Sequence, residues 1–155
     1  MSRTESTPTS TIRNKKATHK YELMEKFECG IILKGTEVKS LRIGAASLDE
    51  AYARIEGNEV WLLGCNITPY SHGNVMNHEP TRKRKLLLRK IEINKLIPQV
   101  VQRGQTLVPV RIYFNERGLC KVTIALARGK THGDKRQDLK KREQKREMDR
   151  AMRRR

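Results

Sequence analysis

The chain is poor in what catalysis, disulfide frameworks and membrane insertion demand. Aromatic side chains make up 5% of its 155 residues and tryptophan occurs once. That is too few for a run of stacked single-stranded bases. Cysteine occurs three times, at Cys29, Cys65 and Cys120, an odd number set far apart with no CxxC spacing. This argues against a disulfide framework and a structural zinc site, and for reduced thiols in a cytosol. No stretch approaches the ~18 apolar residues of a membrane span, and residues 1–30 lack an apolar segment suited to a secretory signal. His19, His72, His78 and His132 are scattered, and none has a nucleophile in a recognisable local motif. Asp49 and Glu50 are adjacent carboxylates of the kind that are usually just solvated. With no Gly-rich phosphate loop and no metal-spaced cluster, the sequence supports neither an enzyme, nor a cofactor, nor a metal.

What is abundant is positive charge: 34 Lys and Arg against 17 Asp and Glu, a formal +17. Its distribution divides the chain. Residues 1–12 are rich in Ser, Thr and Pro and have almost nothing to bury, so they are expected to be a disordered arm. Residues 13–128 form the expected globule. From Arg128 to the end, thirteen bases face five acids, a net +8, and the basic tail proper is placed at 129–155. Such a balance favours a polyanion partner.

The globule reads as mainly β with short helices. Strands are expected at Tyr21–Phe27 continuing into Ile31–Leu33, at Thr36–Lys39, Ala51–Ile55, Val60–Leu63, Val108–Phe114 and Leu119–Ala127. Gly30 predicts a bulge or bend. The last two strands flank Asn115–Gly118, a turn segment, and form a hairpin whose apolar face is Ile112, Phe114, Val122, Ile124 and Leu126. Ile93, Leu96, Ile97 and Val100 have the spacing of one helical face, Gly104 suits its stop, and Pro98 predicts a kink or break near Asn94–Ile97. An OB-like closed barrel of short strands with a helix packed on it buries these faces most simply. The tail contains good helix formers but no apolar stripe able to dock on a core. It is expected to be disordered or frayed alone and helical on a polyanion.

The densest binding signal is Thr81–Lys90, which holds six bases and no acid beside Leu86, Leu87 and Leu88. Those leucines could anchor the segment while Arg84, Lys85 and their neighbours face phosphates. A solvated charged loop is the competing reading. Scarce aromatics tilt the partner towards folded RNA read by shape and backbone, although Tyr21 and Tyr52 could each stack on an unpaired base or sit half-buried in a strand. Lys15, beside Asn14 in the basic N-terminal stretch, joins the candidates.

Five strings occur in order: Asn14-Lys-Lys-Ala-Thr-His-Lys-Tyr21, Gly35-Thr-Glu-Val-Lys-Ser-Leu-Arg42, Asn66-Ile-Thr-Pro-Tyr70, Arg82-Lys-Arg-Lys-Leu-Leu-Leu88, and Gly129-Lys130 with Asp134-Lys-Arg136. Together they resemble the small protein B family, the tmRNA-binding (SsrA-binding) proteins of bacterial trans-translation, from about Asn14 to the C-terminus. The resemblance implies a noncatalytic, cytoplasmic, monomeric adaptor with no membrane or small-molecule partner. Its barrel would bind the tRNA-like domain of tmRNA. Its tail would enter the empty mRNA channel of a stalled ribosome near the small-subunit decoding region, becoming helical there, so that the stalled peptide is tagged. The family's RNA-facing positions match Asn14, Tyr21, Glu28, Leu87 and Lys121, with Leu87 open between a base contact and a core role. In the tail, Gly129 would be a hinge, followed by Lys130. Lys135 and Arg136 would meet ribosomal RNA, and Asp134 could cap the helix. The family's usual aromatic or histidine before that triplet is replaced by Gly133, and His132 either takes over its stacking or leaves the contact missing. A general basic OB-fold RNA-binding or ribosome-associated protein is the alternative.

Overall fold

A computed structural model describes residues 10–71, 77–130 and 132–154, the side chains of 132–134 excepted. The chain opens with β1 (Ile12–Arg13), α1 (Ala17–Lys20), β2 (Tyr21–Ile31) and α2 (Gly35–Arg42). Next come β3 (Ala46–Ser47), β4 (Tyr52–Glu56), β5 (Glu59–Leu63), β6 (Asn66–Ile67) and β7 (Arg84–Leu87). Helix α3 (Lys90–Val101), strands β8 (Thr106–Phe114) and β9 (Cys120–Gly129), and helix α4 (His132–Arg153) complete it.

Alternation builds the ring. In β9 the side chains of Val122, Ile124 and Leu126 point into the main core, while Lys121 and Thr123 alternate with them on the other face. Pairing runs β8-β4-β5-β7-β2-β9, and β9 pairs again with β8, so six antiparallel strands close on themselves. This is the closed β architecture expected. Inside it, Phe27, Cys29, Leu62, Leu86, Ile112 and Ile124 share one core with Ile93 and Leu96 of α3. Each such fully buried large side chain is worth about 1.5–3 kcal/mol over its exposed state. The β4–β5 turn is tight, with positive φ at Gly57 and Asn58, as a two-residue hairpin loop requires.

Several expectations need correction. Thr36–Lys39 lies in α2, not in a strand, because Glu37 accepts the Lys34 N–H at 2.7 Å and Leu41 buries the helix. The bulge in β2 falls between Leu23 and Lys26, whereas Gly30 pairs regularly with Leu87 and Lys121. Helix α3 runs unbroken past Pro98, whose carbonyl accepts the Gln102 N–H at 2.9 Å. Proline there leaves the Asn94 carbonyl without its i→i−4 donor, but only three helical residues follow it, so the loss is confined to the C-terminal end.

The arm ends sooner than the composition suggested: Ile12 is buried and pairs with Ile112, so the body begins before residue 13. The rest of the expected disordered arm, residues 1–9, lies outside the described residues. At the other end β9 continues to Gly129, which pairs with Tyr21. The tail, expected to be disordered or frayed alone and helical on a polyanion, is here a 22-residue helix. Leu139, Met148 and Met152 remain exposed on it, so the missing apolar stripe was read correctly. Local helix propensity and a polar attachment at its base provide the order instead.

Candidate nucleic-acid interface

The outer faces of β7, β2, β9 and β8 carry two rows of side chains. Strand register places Leu87, Gly30, Lys121 and Tyr113 across from one another in the first. Glu28, Thr123, Arg111 and Arg13 make the second. Three of the expected RNA-facing residues, Glu28, Leu87 and Lys121, are therefore brought together. Leu87 is 49% exposed and leans over Gly30, where a Cβ would meet its side chain at 3.4 Å. That settles its role as a surface group. Burial first, then the hydrogen bond to Glu28, raises the Tyr113 hydroxyl above its ordinary pKa, so the phenol stays a donor to the Glu28 carboxylate. Together with Leu87 and Lys121 the pair offers a flat ring, an apolar wall, an acceptor and a cation to one ligand.

The far end of this outer face is roofed by α1. Ala17 packs on Val108 and Ala127, with Tyr21 and Leu23 alongside. The Gly129–Tyr21 pair and the Thr123–Glu28 pair stand six positions apart on β9, roughly 20 Å along the strand. Asn14 joins β1 to α1 over an irregularity in β8: its N–H donates to Val110 O at 2.8 Å and its Nδ2 to Pro109 O at 2.9 Å. At 8% exposure it is a clamp, while its buried Oδ1 has no partner among the described residues. A cavity of about 350 Å³ beside it is lined by Lys16, Lys20, Tyr21, Asp49 and Tyr52. Lys15 is exposed next to it.

The basic string fares differently. Arg84, expected to face phosphates, is fully buried. Its Nε donates to Glu37, its Nη1 to Cys65 O at 2.8 Å and its Nη2 to Pro80 O at 3.1 Å. The residue alternates inwards with Leu86, and only an internal carboxylate makes that tolerable. Arg82 reaches the same carboxylate at 2.5 Å. Burial raises the Glu37 pKa, but the hydrogen bonds from Arg82, the Lys34 backbone and Arg84 outweigh it and hold the carboxyl below its ordinary value. Lys83 pairs with Glu56 and lies 4.6 Å from the Trp61 ring centre, and Lys85 pairs with Glu59 at 2.9 Å. Lys85 thus keeps a half-exposed head, but the string is largely neutralised within the fold.

Lys130 fastens the tail. Its N–H donates to Lys20 O at 3.0 Å, its Nζ to Thr18 O at 2.6 Å and also to Asp138 of α4. Arg142 adds a contact to Thr18 Oγ1 at 3.3 Å. A groove of about 600 Å³ runs between α1 and α4, with Tyr21, Lys26, Arg128 and Gln137 among its walls. Lys135 is half-exposed and Arg136 exposed in the early turns of α4. His132 and Asp134 lie in its first turn, their side chains outside the described set. Gly129, expected as a hinge, is the last residue of β9.

The three thiols are not poised as nucleophiles. Burial pushes the thiols of Cys29, Cys65 and Cys120 up to about 12, about 11 and about 12, so none forms a thiolate near neutral pH. His78 is buried between Thr36 Oγ1 and Ile67 O, each at 2.8 Å. His72 lies outside the described residues. Sequence reasoning missed Arg13, Arg111 and Tyr113 as surface groups of this face. The period-2 pattern of the last hairpin held that signal, since Ile112 inside requires Arg111 and Tyr113 outside.

Comparison with known proteins adds the following. The family described as SmpB protein matches residues 11–154. An SsrA-binding protein of Desulforamulus reducens is 51% identical over 140 residues, 90% of this chain and 87% of that protein. One from Symbiobacterium thermophilum is 52% identical over 140 residues, 90% of this chain and 89% of that protein. Among solved structures, a chain from "tmRNA-SmpB: a journey to the center of the bacterial ribosome" superposes with a TM-score of 0.67 at 48% identity. That match covers 83% of this chain and 94% of the other.

Proposed function

The chain belongs to the SmpB protein family, and from that premise we propose how its parts divide the work of an RNA-binding adaptor. It binds tmRNA and brings it to ribosomes that need rescue. The ring holds the RNA on the outer face that carries Glu28, Leu87, Lys121 and, beside α1, Tyr21. Helix α4 supplies the ribosome contact: Lys135 and Arg136 meet ribosomal RNA near the decoding region, and the helix lies in the vacated mRNA channel. The protein does no bond-making itself and acts as a monomer in the cytoplasm. Its buried thiols and internally tied His78 fit that reading. Among the described residues no helix is long and apolar enough to cross a membrane.

The observation that carries the reading is that the family match is continuous through both the ring and the cationic helix. The test separates the two. Stopping the chain after Lys130 is expected to leave tmRNA affinity within about threefold while tagging of stalled peptides is lost. Lys135→Ala with Arg136→Ala in the full chain should likewise spare tmRNA binding and impair tagging. Loss of tmRNA affinity on truncation, or normal tagging by the double variant, overturns the division.

A further inference from the structure

We propose that Arg13 and Arg111 form a two-guanidinium site that holds one phosphodiester of the bound RNA; the choice of RNA rests on the adaptor reading above. The two residues stand directly opposite each other in the β1–β8 pairing. Their neighbours Ile12 and Ile112 are buried, so both arginines leave the sheet on its outer side. Directly opposed residues have Cβ atoms about 4.5–5.5 Å apart, and like charges so placed destabilise the pair. Several cations of the body are matched to acids, among them Arg82, Arg84, Lys83, Lys85, Lys95 and Arg128. Among the described residues neither Arg13 nor Arg111 has an acid partner.

Arg111 is nevertheless held in place. Its guanidinium lies 4.5 Å from the Tyr113 ring centre and its Nε donates to Thr123 Oγ1 at 3.3 Å. Those contacts fix the plane of the fork and leave its terminal amino groups for another acceptor. The closest carboxylate along the row, Glu28, lies beyond Thr123 and is engaged by Tyr113. A prepositioned arginine facing a second, exposed one, both without counter-charge, fits a tetrahedral oxyanion better than a single carboxylate, because each fork can take its own oxygens. Continuity with Lys121 and Glu28 makes that anion part of the RNA lying on the same face.

The experiment measures tmRNA affinity against salt for the full chain and its variants. Arg13→Gln with Arg111→Gln should weaken binding about tenfold and make the log–log salt slope shallower by about one. Arg13→Gln alone, an exposed change that keeps the Tyr113 and Thr123 contacts, should give roughly half that slope change without lowering the thermal midpoint. Arg111→Lys should retain the slope and lose part of the affinity, since it keeps the charge without the fork. Arg54→Gln, a cation already paired with Glu56, should leave the slope unchanged. An unaltered slope in the double variant, or an equal change from Arg54→Gln, overturns the site. Failure of the unaltered chain to prefer tmRNA over an unrelated duplex of equal length would instead overturn the adaptor reading. The slopes would still report on the arginine pair.

Discussion

Two runs of basic residues look alike in the sequence and part company in three dimensions. Arg82–Lys85 sits on a strand whose alternation turns Arg84 into the core and whose neighbours Glu37, Glu56 and Glu59 answer each charge. The bases of α4 stand on a helix exposed almost all round, and among the described residues none has an acid partner; the ion pair at the helix foot joins Asp138 to Lys130, which precedes it. Charge density in a sequence therefore says where a polyanion could bind only after the local period is known. A strand sends every second cation inward, whereas a helix without an apolar stripe keeps them all in water.

That contrast can be broken most forcefully at Arg84. Arg84→Ala leaves Glu37 buried without one of its two guanidinium partners and strips the donors from Cys65 O and Pro80 O, and removing one member of a buried pair typically costs about 3–5 kcal/mol. Urea unfolding should show it, while Arg146→Ala in α4 should change the unfolding free energy by less than about 0.5 kcal/mol. The same pair gives a pH signature. The folded-state pKa of Glu37 lies below its ordinary value of 4.5, so its stabilisation is fully present above that value and is lost as pH falls through the folded pKa. Stability measured at pH 7, 5 and 3 should drop across the acid limb. Glu37→Gln should start lower and fall less steeply. A far smaller effect than at Arg84 is expected where the two regions meet: Asp138→Asn removes the anion facing Lys130 and should cost the helix under about 1 kcal/mol. Circular dichroism and amide exchange should register that as faster opening confined to the early turns of α4.

The closed mainly β architecture was legible because Val108–Phe114 and Leu119–Ala127 alternate so regularly, and because α3 keeps its stripe on Ile93, Leu96, Ile97 and Val100. Thr36–Lys39 misled because a single threonine and valine read as strand, while the decisive contact, Glu37 with Arg82 and Arg84, spans more than forty positions. The same distance effect hid the fate of Arg84. No local window reports that a base three residues before a strand's end will be matched by a helix on the other side of the core. Of the candidate RNA residues, Glu28, Leu87 and Lys121 meet on one face because their strands pair in register, whereas Asn14 is spent largely on holding α1. In the tail, the helix was legible in its helix formers but the attachment was not. Its lack of buried surface was weighed against backbone entropy, but the brace from Lys130 to Thr18 and Asp138 was not visible before the strands were placed.

That brace has a mechanical corollary. A rod of 22 residues reaches about 33 Å at 1.5 Å per residue, so each degree of tilt at its root sweeps the tip by about 0.6 Å. A few atoms of Lys130, Thr18 and Asp138 thereby govern the aim of the entire lever. Small chemical changes at that fulcrum would be felt chiefly as misdirection far from where they were made.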